Sequence, residues 1–254
     1  MDAGGRRVDS LVEAERIVKS AEDDGVTLRL IGGLAIRFHC HGPHSAHLRE
    51  YHDIDVFGLR KQHRGILSVF EKLGYSPNEQ FNVFYGSTRL QFIKAGHQKN
   101  VDVFLDKFQM EHTLDFRDRL RLDGLTIPIT DLLMTKLQNV KLEDKDAKDI
   151  VAILEDHELG HSNDRETINL DYIADLCSRN WGLFTTVTDS LDEVRKFTDQ
   201  NASSVLEAED LTKKIEAVRS FLVTTKKGLT WRVRSLIGAR IKWYNVVEAG
   251  EGEV

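Results

Sequence analysis

Little in this 254-residue sequence marks a special environment. It has only two cysteines, Cys40 and Cys177, and only three prolines. Two thiols cannot build a disulfide framework, which points to a reducing, intracellular compartment. No stretch approaches the ~18 consecutive apolar residues that a bilayer span needs. Met1 to Arg6 lead into no signal-type apolar run, so the expected setting is cytoplasmic, with no membrane partner. What is present excludes wholesale disorder, because 41% of the residues are hydrophobic and the chain is long enough to bury a core. At ~100–200 residues per domain, one large domain or two small ones are expected.

Charge is unevenly spread. Between Lys213 and Lys242 there are nine basic residues and one acid, Glu216, so that window carries +8 of an overall −6 and the remainder carries −14. An acidic body with a basic C-terminal end can mark an anionic partner.

Along the first half, strands and helices mix. Apolar residues of Ser10–Ala21 recur at helical spacing, and Val26–Ile31 reads as a strand bounded by Gly32-Gly33. Leu34–Cys40 opens a helix, Asp53–Gly58 is a compact strand, and His63–Leu73 is a helix stopped by Gly74. Phe81–Tyr85, Arg89–Lys94 and Asn100–Leu105 read as three more strands. From Thr130 onward the spacing is helical: Asp131–Leu142, Lys145–Asp156, Asn169–Arg179, Leu191–Phe197, Ser204–Leu222 and Trp231–Val247. Strands followed by helices give an α+β class, with residues 1–127 as the catalytic-type domain and 128–254 as a helical domain with a basic end.

Chemistry concentrates at Asp53-Ile54-Asp55. On a strand, positions i and i+2 share a face about 7 Å apart. Two carboxylates on one face of an apolar strand need a neutralising partner, and Mg²⁺, a hard ion held by carboxylates and substrate phosphates, suits them. Upstream, Leu30-Ile31-Gly32-Gly33-Leu34-Ala35 is a strand ending in two glycines that open a helix. Such a turn lets backbone approach a phosphate, and free N–H groups at the helix start favour an anion. Downstream, Asp102 is a third carboxylate in the apolar strand Asn100–Leu105.

Taken together, these motifs resemble the DNA polymerase beta-like nucleotidyltransferase superfamily, and most nearly its small prokaryotic members, including the abortive-infection toxin nucleotidyltransferases. The matching residues are Gly32-Gly33-Leu34-Ala35, Arg49 four before Asp53-Ile54-Asp55, Lys136-Leu137, and Lys145-Asp146-Ala147-Lys148-Asp149, over residues 26–155. Tyr51 and His52 depart from the pattern, since Thr or Ser often stands two before the first aspartate. The resemblance implies a mixed sheet flanked by helices and transfer of a nucleoside monophosphate from an NTP to an acceptor hydroxyl. In that reading Asp53, Asp55 and Asp102 hold two Mg²⁺, and Asp102 takes the acceptor's proton. Gly32 and Gly33 hold phosphates, Arg49 neutralises developing charge, and Lys136, Lys145 and Asp149 reach the nucleotide from the helical half. A solvated helix face would explain the last three as well. A toxin-like protein would have a cognate antitoxin as partner and RNA, such as tRNA, as acceptor. A small-molecule, antibiotic-type acceptor, protein nucleotidylation, or a non-catalytic nucleotide-binding module are the alternatives.

Five of the ten histidines, His39, His41, His44, His47 and His52, crowd beside Cys40. Their spacing matches no standard zinc site, so they are expected to form a polar loop over the nucleotide. The basic end interleaves Trp231, Trp243 and Tyr244 with its cations. That pattern suits RNA binding, and equally a terminal helix burying Trp231, Leu236, Ile237, Ile241 and Tyr244.

Overall fold

The computed structural model describes residues 10–41, 53–94, 100–202 and 204–246. In chain order its first half contains α1 (Ser10–Asp23), β1 (Leu28–Ile31), α2 (Gly32–His39), β2 (Ile54–Gly58), α3 (His63–Lys72), β3 (Ser76–Pro77), α4 (Glu79–Tyr85), β4 (Arg89–Ile93) and β5 (Val101–Leu105). Two short strands follow, β6 (Lys107–Gln109) and β7 (Thr113–Asp115). The second half contains α5 (Ile129–Leu137), α6 (Asp144–Asp156), β8 (Glu158–Gly160), β9 (Thr167–Asn169), α7 (Leu170–Arg179), α8 (Trp181–Asn201), α9 (Val205–Thr224) and α10 (Leu229–Ile237). The class is α+β: a mixed sheet flanked by helices, then a helical C-terminal half. No helix among the described residues is long and apolar enough to cross a membrane.

The main sheet has the order β1-β2-β5-β4-β3, with β2 and β5 parallel and every other pair antiparallel. Alternation sends Leu28, Leu30, Ile54, Val56, Leu90, Phe92, Val101 and Val103 to one face. That face is the core: Phe92 lies flat on Phe70 of α3, ring centroids 3.9 Å apart and 7° from parallel. The opposite face carries Asp53, Asp55, Phe57, Asp102, Arg89 and Gln91. Two faces of opposite character on one sheet are what position the site.

The halves are joined without a break in packing. Leu30 donates its N–H to Leu125 and accepts from Ile127, so the segment expected to separate the domains runs alongside β1. Helix α2 packs on α5 and α6, and one apolar cluster runs from Ala14 to Leu222.

Three elements differ from expectation. Phe81–Tyr85 is helical, not a strand. The Asn78 side chain caps α4 by accepting the Phe81 N–H, and Asn82 bonds both backbone groups of Gln91, so the segment is tied to the edge of β4 as a helix. Its apolar residues Val83 and Phe84 consequently face solvent. The last helix does not reach Val247. It stops at Gly238, whose φ of +58° favours glycine, and the chain then runs back so that Asn245 bonds Met110 and Glu111. Nor does α10 bury an apolar face: Leu229 is 79% and Leu236 81% exposed. Finally, α8 begins ten residues before the periodicity shows, at Trp181. There Thr185, Thr188 and Ser190 occupy positions a purely apolar stripe would fill, and return their hydroxyls to backbone carbonyls.

The stacked pair at the centre of the core sets the first prediction. Phe92→Ala should lower stability by ~3–5 kcal/mol, read as a fall in the urea midpoint. A loss below ~1 kcal/mol would mean that this side of the sheet is not packed as described.

Candidate functional site

Parallel pairing of β2 and β5 puts Asp55 directly opposite Asp102. Both side chains therefore leave the same face of adjacent strands, ~4.8 Å apart. Asp53 shares that face just before β2 begins and is exposed, whereas Asp55 and Asp102 are buried. The pleat and the register bring all three expected carboxylates together.

Their environments differ. Asp102 is gripped by Arg89 through Nε to one oxygen and a terminal nitrogen to the other, each 3.1 Å, and Gln91 Nε2 adds a contact at 3.2 Å. Arg89 in turn lies over the rings of Phe104 and Phe81, which keeps its guanidinium in place. Asp55 has no such clamp. Its Oδ1 is buried and meets no hydrogen-bond donor. Burial, with the neighbouring carboxylate of Asp102 and then that of Asp53, pushes the Asp55 carboxyl up to about 8, against the opposing pull of Arg89 and Lys136. A buried carboxylate oxygen that meets no donor, among like charges, is chemically suited to ligating a cation. The donor set is all oxygen and suits Mg²⁺.

Gly32 closes the other side. Its φ of +73° is open to glycine, and a Cβ there would stand 2.8 Å from Asp55 Oδ2. The chain thus brings the first turn of α2 against the carboxylates. Gly33 is the second residue of that turn, and the Ile31 N-cap supplies no side-chain hydrogen bond to it. These N–H groups are open to an anion.

From the helical half, Lys136 on α5 is partly buried, with Nζ 2.9 Å from Asp146 and 3.0 Å from Asp149 of α6. Burial depresses its ammonium, but Asp149 and Asp146 outweigh that and the net shift is upward. Asp149 therefore holds Lys136, whose charge is felt at Asp55. Lys145 is set apart, paired with Glu143 at the start of α6 and partly exposed. Arg49 lies outside the described residues, as do His44, His47 and His52. His39 is not a loop residue at all: it ends α2, is buried, and bonds Thr126.

Sequence reading missed Arg89, Gln91 and the Lys136 ion pairs. The signal for the first two was present: an arginine and a glutamine two apart in an apolar strand must share a face.

No protein-family model matches the chain, and no curated protein matches it. Among solved structures, it is similar to the antibiotic-resistance factor ANT(2'')-Ia, a solution structure described as revealing substrate-regulated conformation dynamics. Identity is 12%, the TM-score is 0.33, and the match covers 89% of this chain and 91% of that one. A likeness at that level carries no conclusion to this chain.

The raised Asp55 carboxyl has a consequence for stability. A group whose folded value lies above its unfolded one contributes stability that is complete below 3.8 and lost as pH rises through about 8. In chelator, the wild type should therefore lose stability relative to Asp55→Asn across that window, measured by urea unfolding at stepped pH. Mg²⁺ added at pH 8 should restore the wild type and leave the variant unchanged. Parallel curves with no Mg²⁺ effect would remove Asp55 from the cation site.

Proposed function

We propose that the protein is a Mg²⁺-dependent nucleotidyltransferase, moving a nucleoside monophosphate from an NTP to an acceptor hydroxyl. The observation that carries this reading is the buried, unpartnered Asp55 oxygen facing Asp102 across one strand pair, with the Gly32 turn pressed against it. A cation-demanding carboxylate and an anion-demanding helix start, side by side, suit a metal–triphosphate complex.

Asp53, Asp55 and Asp102 would hold the Mg²⁺, which when bound polarises phosphoryl oxygens and the attacking hydroxyl. Gly32 and Gly33 present backbone N–H groups to the phosphates. Arg89 and Gln91 fix the Asp102 carboxylate at both oxygens, which makes it a positioned ligand rather than a mobile proton acceptor. Lys136, oriented by Asp146 and Asp149, adds fixed positive charge toward Asp55. Such preset charge acts without reorganisation as the leaving group departs.

For the acceptor, we place a small-molecule hydroxyl ahead of RNA. Five of the nine C-terminal cations have partners within the chain, and three of these, Lys214, Lys227 and Arg234, sit on backbone carbonyls. Lys213 pairs with Asp210, Arg219 with Asp192, and Lys214 bonds Leu154 and His157 carbonyls and Glu158. Lys227 bonds the Leu222 and Thr225 carbonyls, and Arg234 those of Gly238 and Ile241. An RNA surface would keep the three carbonyl-bound cations for phosphates.

Incubating the protein with Mg²⁺, each α-labelled NTP, and in turn aminoglycosides, total RNA or cell extract tests both levels. Label should appear on the small molecule and fall ~10²–10³-fold in Asp55→Asn and Asp102→Asn. Binding of NTP with no transfer to any acceptor would make the protein a nucleotide-binding module instead. Neutralising Arg232 and Arg240 together should leave transfer unchanged. A loss steepening with salt would restore RNA as acceptor.

A further inference from the structure

At the far end of α2 from Gly32, about 10 Å along the helix, a second group of metal-type donors gathers. It comprises His39, His157 at the C-cap of α6, and Glu166 just before β9. One donor atom from each lies within 4.8 Å of the others. His39 Nδ1 is 3.4 Å from the Glu166 carboxylate, and His157 Nδ1 is 3.2 Å from Glu166 Oε2. Two ligands on a tetrahedral shell of 2.0–2.1 Å radius stand about 3.3 Å apart. The separation between His39 Nδ1 and the Glu166 carboxylate is already at that value.

The surrounding bonds are those of a second shell. His39 Nε2 is 2.7 Å from Thr126 Oγ1, and His157 Nδ1 is 3.2 Å from the Glu166 carbonyl oxygen. Imidazole ligands commonly have the other nitrogen fixed in this way: Nε2 is fixed at His39, and Nδ1 at His157, which leaves Nε2 as the ligand nitrogen of His157. His157 is 3% exposed, yet its Nε2 is buried and meets no partner. Burial lowers the proton affinity of both imidazoles, leaving them neutral as a metal requires. Glu166 is more than half exposed and shares Oε1 with Arg165, so the third ligand faces an entry path. Arg165 is itself drawn to Asp123, and Lys214 touches the His157 carbonyl, so the cations nearby are both anchored to other groups.

We propose that His39, His157 and Glu166 form a site for a divalent ion of zinc type, separate from the carboxylate cluster on the sheet. Two imidazoles and one carboxylate are the donors Zn²⁺ takes, with water completing four-coordination. Bound there, the ion ties the end of α2 to α6 and to the turn before β9. It thereby clamps the helix whose first turn is Gly32-Gly33. Among the described residues of the histidine-rich segment, His39 alone contributes. Its partners stand more than a hundred residues away, so spacing within the segment carried no sign of them.

The test uses the full chain, stripped with chelator, given one equivalent of Zn²⁺ and desalted. The wild type should retain about one ion per chain, and the thermal midpoint should rise. Co²⁺ in its place should show the visible bands of a tetrahedral nitrogen–oxygen site. Glu166→Gln, at an exposed position that leaves the core intact, should cut retention below about a tenth, as should His157→Asn. Asp55→Asn and the triple variant His44→Gln/His47→Gln/His52→Gln should retain the ion. No retention by the wild type, retention in Glu166→Gln and His157→Asn equal to that of the wild type, or loss in the triple variant alone would each overturn the proposal.

Discussion

The structure turns on one electrostatic conflict: Asp55 and Asp102 face each other across a parallel strand pair, both out of water. Like charges in a low-dielectric setting repel strongly, and a core of apolar residues would serve the sheet better there. The protein meets half of the conflict itself. Arg89 and Gln91 satisfy Asp102 from the next strand, and the aromatic rings of Phe104 and Phe81 hold Arg89 in place. Asp55 is left over, with one oxygen unpartnered and Gly32 against the other. Such a residue is stable in the folded protein only when protonated or when a cation is supplied.

Everything around it keeps that unmet demand in place. The apolar face of the sheet is closed by α1 and α3, with the Phe70–Phe92 stack at its centre, so the carboxylate strand cannot shift register without exposing the core. The first turn of α2 delivers backbone N–H groups to the same spot. Helices α5 and α6 contribute a lysine held by two aspartates. These three supports come from separated stretches of chain, and one continuous core unites them. The second half is thus part of the site's foundation, through Lys136, as well as a neighbour of it.

The carboxylates and the glycine turn were legible because their chemistry is local. Asp-x-Asp in a strand and Gly-Gly at a strand-to-helix turn declare themselves within six residues. Four of the sheet's five strands, all but the two-residue β3, and most helices were legible for the same reason, through periodicity. What was hidden depends on distant partners. Phe81–Tyr85 has the composition of a strand, and becomes a helix because Asn78 and Asn82 find Gln91. The basic C-terminal window looked like a surface for an anion, yet five of its cations are bound to carbonyls and carboxylates of the fold itself. Charge counts along a chain do not reveal which charges are already spent. His39 was read with its neighbours in sequence, whereas its contacts are Thr126, His157 and Glu166.

The central claim is that Asp55 awaits a divalent cation, and the carboxyl itself can report on it. With ¹³C-labelled aspartate, the Asp55 side-chain resonance, assigned by comparison with Asp55→Asn, can be followed through a pH titration with and without Mg²⁺. In chelator the resonance should titrate near 8. With Mg²⁺ it should remain that of a carboxylate at pH 6, since a bound cation favours the charged form. Titration at the 3.8 of a free aspartate under both conditions would contradict the account.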